Sequence, residues 1–165
     1  HQVEGLALID MSEEIHQYPP RFWFLYAVYM GVSNFLWEVA QLPLYTLWTE
    51  RFNAIVFAVL HCTGGDVLIG LSSLVASIFL VRLTGRPRGG LARQRITAFG
   101  AVMIGFGYTV FSEWLNVYIR KSWDYSDLMP LIRVGEVAIG LSPMAQWLIL
   151  PPVYFLWMGC VWRKR

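Results

Sequence analysis

The fold is decided by residues 54–81, AIVFAVLHCTGGDVLIGLSSLVASIFLV. A helix needs about 20 mostly apolar residues to cross the hydrocarbon of a bilayer, and this stretch is longer than that. Its first half carries a histidine, His61, and a carboxyl group, Asp66. Because ionisable side chains are costly in hydrocarbon, we expect a membrane helix whose polar groups have a role.

The composition of the whole chain agrees with this reading. The chain has 165 residues, of which 56% are hydrophobic and 15% are charged, and its mean hydropathy is +0.48. These values are typical of a small polytopic membrane protein in one domain, residues 1–165, and not of a soluble one. The basic residues form no stripe beside an aromatic platform, so we expect no nucleic-acid partner.

Three further apolar stretches predict membrane helices, at residues 22–48, 96–119 and 142–162. Together with 54–81 they predict an all-α, integral membrane four-helix bundle. Pro43 predicts a kink in the first helix, and Pro151-Pro152 lie in the middle of the last one.

Two shorter segments complete the predicted architecture. Residues 131–141 are apolar but too short to span, so we expect an interfacial or re-entrant segment before the last helix. The first twenty residues lack the basic and apolar regions of a cleavable signal peptide. They predict a short polar arm, with a surface helix over 3–17 that Pro19-Pro20 end.

The positions of Lys and Arg predict the orientation. In a four-span topology the N-terminal arm, the loop between spans two and three and the C-terminus lie on one side, with nine basic residues. The other side has four. Since positive loops stay inside, both termini are expected in the cytoplasm.

This topology places the polar residues of all four spans in the outer half of the bilayer. Within a span they share a helix face, as Asn34, Glu38 and Gln41 do. The candidate site residues then divide into three groups. Proton carriers are Glu38, Asp66 and Glu113, assisted by His61; orienting groups are Gln41, Asn116, Arg120 and Gln146; apolar walls are Trp37, Trp114 and Trp147.

The same residues have a purely structural interpretation. Polar side chains on facing membrane helices often form a hydrogen-bonded seam that holds the helices together. In the functional interpretation, buried carboxyl groups exchange protons with a ligand. The spacing allows both.

Three strings resemble a group of small bacterial four-helix membrane proteins that has no assigned activity. They are residues 36–45 (LWEVAQLPLY), 61–66 (HCTGGD) and 111–116 (FSEWLN). This resemblance implies the fold and a location in the bacterial inner membrane, and it implies no activity.

A second resemblance, by pattern over residues 27–160, is to the emopamil-binding-protein domain, a four-helix membrane fold that includes sterol isomerases. Glu38, Asp66 and Trp147 match that family's pattern in kind. Asn34 and Met144 stand where the family has a histidine and an asparagine, so sterol isomerisation itself is not implied. The resemblance implies paired intramembrane carboxyl groups that handle protons on a lipophilic molecule.

Three functions stay open at this point. The first is a membrane protein whose outer-half pocket binds or transforms a lipophilic small molecule by carboxylate acid/base chemistry. The second is an accessory subunit of a larger respiratory or photosynthetic membrane complex, with membrane lipid and other subunits as partners. The third is a metal-binding protein that uses His61, Cys62 and the carboxylates, although the repeated Glu-x-x-His motif of di-iron bundles is missing. The sequence does not identify a cofactor.

Overall fold

The computed structural model describes residues 18–84 and 90–162, with side chains described as far as residue 159. The described chain is mostly helical and has four helices: α1 Pro20–Gln41, α2 Phe52–Leu83, α3 Gly90–Trp114 and α4 Leu141–Trp162. The arm and surface helix predicted over 1–17 lie outside the described residues.

The first helix is shorter than the predicted span. α1 ends at Gln41, and two short 3-10 turns, Leu42–Leu44 and Thr46–Thr49, follow it. Pro43 has no N–H to continue the hydrogen-bond ladder, and its ring clashes with the preceding turn. The proline therefore ends the helix, where a kink was predicted.

The second and third helices are longer than predicted. α2 extends two residues beyond each end of the predicted 54–81. α3 begins at Gly90, before the predicted residue 96, and continues through π-helical turns, Leu115–Arg120. Lys121 ends them in the left-handed conformation, with φ 52°. Both helices are long and apolar enough to cross a membrane.

The segment before the last helix is a β-hairpin, so the described chain is not all-α as expected; that this segment is interfacial or re-entrant stays a prediction. Strands β1 Leu131–Val134 and β2 Val137–Gly140 pair antiparallel, with Val134 opposite Val137. β-Branched residues favour strands, and Gly135 supplies the positive φ (61°) that a two-residue hairpin turn needs. The Tyr118 hydroxyl donates to the Ala138 carbonyl and accepts from the Ala138 N–H, which fixes β2 against the end of α3.

The last helix runs through its two prolines without a break. Pro151 and Pro152 remove two backbone donors from α4. The Tyr29 hydroxyl donates to the Leu150 carbonyl beside them, at 3.0 Å. The carbonyls that lose a helical donor are those of Trp147 and Leu148, four residues before the prolines. The Tyr29 bond lies beside them and ties α1 to this part of α4.

The helices form a ring in which each packs against the next and α4 returns to α1. The apolar core lies toward the end where α1 begins and α4 ends, and is rich in aromatic residues. Its buried members are Phe22, Tyr26, Met30, Leu74, Ile78, Ala101, Trp147, Tyr154 and Met158.

Candidate functional site

A cavity of about 570 Å³ occupies the other end of the ring. Its walls come from the last turns of α1 and α3 and the first turns of α2 and α4. These four segments meet because successive helices run in opposite directions. Glu38, Asp66 and Glu113, from three different helices, all line it.

Glu38 and Asp66 form the centre of the polar cluster. Their carboxyl groups are within hydrogen-bonding reach of each other across α1 and α2. The Gln146 amide of α4 donates to both, at 3.3 Å to Glu38 Oε1 and 3.0 Å to Asp66 Oδ2. A direct hydrogen bond between two carboxyl groups requires that one of them carry a proton.

A second layer of amides and hydroxyls holds this pair in place. Gln146 also donates to Asn34 Oδ1 at 2.7 Å, and the Gln41 amide donates to Glu38 Oε1 at 2.9 Å. The Ser142 hydroxyl donates to Gln41 Oε1 at 2.8 Å, and Trp37 donates its indole N–H to Ser142 at 3.2 Å. The network joins α1 to α4.

Glu113 has separate partners, two tyrosines that lie outside the helices. The Tyr125 hydroxyl donates to Glu113 Oε2 at 2.7 Å, and the Tyr45 hydroxyl lies 3.5 Å from both carboxyl oxygens. Burial raises the pKa of both phenols, and the nearby Glu113 carboxyl group is the second cause. Both hydroxyls therefore keep their protons and act as donors.

The two tyrosines belong to a cap over the end of the cavity that is remote from the apolar core. The cap is formed by residues 42–49 and 121–130. Tyr45 and Tyr125 pair as an isolated β-bridge. Thr46 donates its N–H to the Asp124 carbonyl, and Ser126 donates its N–H to the Leu44 carbonyl, each at 3.0 Å. The two halves of the cap are thus joined by main-chain hydrogen bonds.

Two tryptophans at the cavity wall, Trp123 and Trp147, have buried indole N–H groups. The Trp123 indole faces Glu113, yet the Trp123 and Trp147 N–H groups are buried and make no hydrogen bond of good geometry. The benzo edge of Trp147 packs directly on Gly105, where a Cβ would overlap the ring. Trp147 lines the cavity and is also a buried member of the apolar core. Its ring therefore forms the boundary between the two.

The structure brings nine of the eleven candidate residues to the cavity wall. These are Glu38, Gln41, His61, Asp66, Glu113, Asn116, Arg120, Gln146 and Trp147. Trp37 lies behind the wall, bonded to Ser142, and Trp114 is 37% exposed on the outer surface beside Phe111. Neither tryptophan lines the cavity as expected, because each lies on a helix face that is turned away from it.

His61 and Arg120 line the cavity but are exposed, at its rim. The His61 ring stacks on Phe57, with ring centroids 5.5 Å apart. Glu113 bonds to the two cap tyrosines, and none of its hydrogen bonds in the described part of the chain is to Arg120. The π-helical turns after Trp114 place Arg120 at the exposed end of the helix.

Sequence reasoning missed Tyr45 and Tyr125 as site residues. Nothing in the sequence pattern of residues 122–130 pairs Tyr125 with Glu113. Tyr45 was hidden because residues 22–48 read as one continuous helix.

Within residues 18–84 and 90–159, no three His, Cys, Asp or Glu side chains are grouped so that they could hold a metal ion. The chain matches no protein-family model, and no curated protein or solved structure is significantly similar to it. The two resemblances in the sequence therefore stay predictions, and function has to be argued from the site.

Proposed function

We propose that all four helices cross a bacterial inner membrane, with both termini in the cytoplasm and the cavity in the outer half. α1 is only moderately apolar overall, but its exposed face supports a membrane crossing by this helix. Phe24, Val28, Val32 and Leu36 follow one another at every fourth position, each between 46% and 67% exposed. An exposed apolar stripe of this length is what lipid contact requires.

We further propose that the cavity binds a lipophilic small molecule and exchanges a proton with it. One observation carries this proposal: Glu38 and Asp66 meet in an apolar-walled cavity and share the amide of Gln146. A seam that only held helices together would have no need of a cavity of about 570 Å³, which is the size of a small-molecule site.

The cluster is arranged for general acid/base chemistry. A carboxyl pair that shares a proton can donate it to one atom of a ligand and accept a proton from another, as an isomerisation or exchange requires. Gln146 and Gln41 fix the oxygen positions, which keeps the pair aligned with a bound ligand. Glu113, held by the cap tyrosines, places a third carboxyl group at the outer end of the same cavity.

The test is deuterium incorporation into bilayer-soluble probes. Purified protein is reconstituted into liposomes in heavy water with long-chain ketones, enones and polyenes, and mass spectrometry follows incorporation at carbon. We expect exchange with at least one of these probes. Glu38→Gln and Asp66→Asn should each lower its rate about a hundredfold, the usual contribution of a general acid or base.

Glu136→Gln is the matched control, because Glu136 is an exposed carboxyl in the hairpin turn and should leave the rate unchanged. Exchange no faster than in protein-free liposomes with every probe class would contradict the acid/base proposal. Co-purification with stoichiometric subunits in mild detergent, together with absence of exchange, would favour an accessory subunit of a larger complex.

A further inference from the structure

The cavity is closed on some sides and open on another. Toward the water-facing end, Tyr45 and Met129 of the cap are buried. Between α2 and α3, the lining residues are themselves exposed: Phe57 is 69% exposed and Tyr108 is 50% exposed. His61, one turn from Phe57, is exposed as well. The open side therefore faces outward between two helices, where lipid would lie.

The same two helices are tightly packed at their other end. The Ser77 hydroxyl of α2 donates to the Thr97 carbonyl of α3 at 2.8 Å, and a Cβ on Gly100 would overlap that hydroxyl. Near the opening the contact is lost. Gly65 lines the cavity, and a Cβ built on it meets no atom within 4 Å. The gap is a local feature of the outer half of the α2–α3 pair.

We propose that this gap, rimmed by Phe57, His61 and Tyr108, is a lateral portal through which the ligand enters directly from the bilayer. The proposal rests on the proposed function, since it requires that the cavity take a lipophilic molecule. Gly65 keeps the passage wide because it has no side chain to fill it.

The charges around the portal define the class of ligand. Three carboxyl groups line the cavity, and its basic side chains, His61 and Arg120, stand at the rim. An anionic headgroup would be repelled by the carboxyl groups, whereas a hydroxyl or carbonyl can bond to them and to the Gln146 amide. The portal is therefore suited to a neutral, single-chain lipophile with an oxygen-bearing head.

Photolabelling in liposomes tests the portal. The probes are a long-chain fatty alcohol with a diazirine in its chain, the fatty acid of the same chain, and water-soluble photo-leucine. Labelled residues are located by mass spectrometry. Gly65→Leu narrows the passage, and Gly64→Leu is its matched control: Gly64 is also open within 4 Å but is exposed and does not line the cavity.

We expect the alcohol to label the α2 and α3 walls of the wild-type cavity more strongly than the acid or photo-leucine does. Gly65→Leu should reduce this labelling about tenfold, equivalent to ~1.4 kcal/mol, which overpacking of a fitted site readily costs. Gly64→Leu should label as the wild type. Both variants replace glycine in a helix by a better helix former, so both should fold.

Equal labelling of the Gly65→Leu and wild-type cavities by the alcohol would overturn the portal and leave the proposed function standing. Photo-leucine labelling as strong as that by the alcohol would do the same, because the entry would then be from water. Absence of alcohol labelling in the wild-type cavity would overturn both proposals.

Discussion

At the scale of single residues, Gln146 is the point on which the polar cluster depends. Its amide nitrogen lies within hydrogen-bonding distance of Asn34, Glu38 and Asp66, and so connects α4 to the adjacent α1 and to α2 across the ring. The residue is 2% exposed, and its acceptor Asn34 is 1% exposed. Its removal would leave buried acceptors unpaired, which costs more than the bonds themselves contribute.

Gln146→Leu should therefore lower stability as well as function. Loss of about 1–3 kcal/mol corresponds to a fall of roughly 3–10 °C in the midpoint of thermal unfolding for a chain of this size. The measurement is thermal unfolding in detergent. Gln94→Leu, at a half-buried amide of α3 in the opposite half of the bundle, is the control; an equal fall in both variants would contradict a special role for Gln146.

The two cap tyrosines differ in how strongly they hold Glu113. Tyr125→Phe removes a hydrogen bond of 2.7 Å, whereas Tyr45→Phe removes contacts of 3.5 Å. We expect Tyr125→Phe to cost about 1.5–3 kcal/mol if the acceptor is charged, and Tyr45→Phe to cost less. Thermal unfolding and hydrogen exchange over residues 121–130 measure this. A larger effect of Tyr45→Phe would show that the cap is held differently.

Alkaline pH should reduce the contribution of Tyr125 to the free energy of unfolding. Its pKa is raised in the folded protein, by burial first and by Glu113 second. Its stabilising contribution is therefore present below the unfolded-state pKa of about 10 and declines as pH rises above it, because the unfolded chain then releases the proton. The stability difference between wild type and Tyr125→Phe should be constant from about pH 8 to 9 and shrink above about pH 10; a difference that grows in alkali would contradict this.

At the scale of helices and strands, the close contact of α3 with α4 depends on Gly105. A Cβ at Gly105 would overlap the buried Trp147 ring. Gly105→Ala should cost about 1–3 kcal/mol through this overlap, despite the better helix propensity of alanine. The readouts are thermal unfolding and the near-ultraviolet circular dichroism of the tryptophans.

Gly107 of the same helix provides the matched control. A Cβ there meets nothing within 4 Å, and the residue is exposed. Gly107→Ala should be neutral or stabilising by up to about 1 kcal/mol. Equal destabilisation by the two alanines would mean that backbone effects, and not the Trp147 contact, decide the result.

The elements that the sequence predicted well are those that depend on local pattern. Long apolar runs predict α2 and α3 because each of these helices contains a long apolar stretch. The common end of the polar residues follows from the alternating direction of the helices. The predicted end of α1 was wrong because a proline permits both a kink and a stop, and the apolar pattern continues past Pro43 in either case. The hairpin was missed because residues 131–140 are short, and their pairing depends on a two-residue turn and on Tyr118.

At the scale of the whole molecule, the unequal distribution of polar groups is the property that links fold and proposed function. The apolar core fills one end of the ring and the carboxyl cavity fills the other. Trp147 joins them, with one side in the core and one at the cavity. A ligand that enters at the polar end therefore meets a closed floor, so the site is a pocket and not a channel through the bundle.

The proposed four-span topology makes the last prediction, which reporter fusions can test in a bacterial host. Alkaline phosphatase, active only outside the cytoplasm, is joined after Glu50, after Leu83 or after Asp124. If α1, α2 and α3 each cross the membrane with the N-terminus inside, the fusions after Glu50 and Asp124 should be active and the one after Leu83 inactive. Green fluorescent protein at the same three sites should give the reverse pattern.

Equal phosphatase activity before and after α2 would exclude a crossing by that helix, and an inactive Glu50 fusion with an active Leu83 fusion would reverse the orientation. In that reversed case the carboxyl cavity would open toward the cytoplasmic leaflet, because all its walls lie at one end of the bundle whichever way the bundle is inserted.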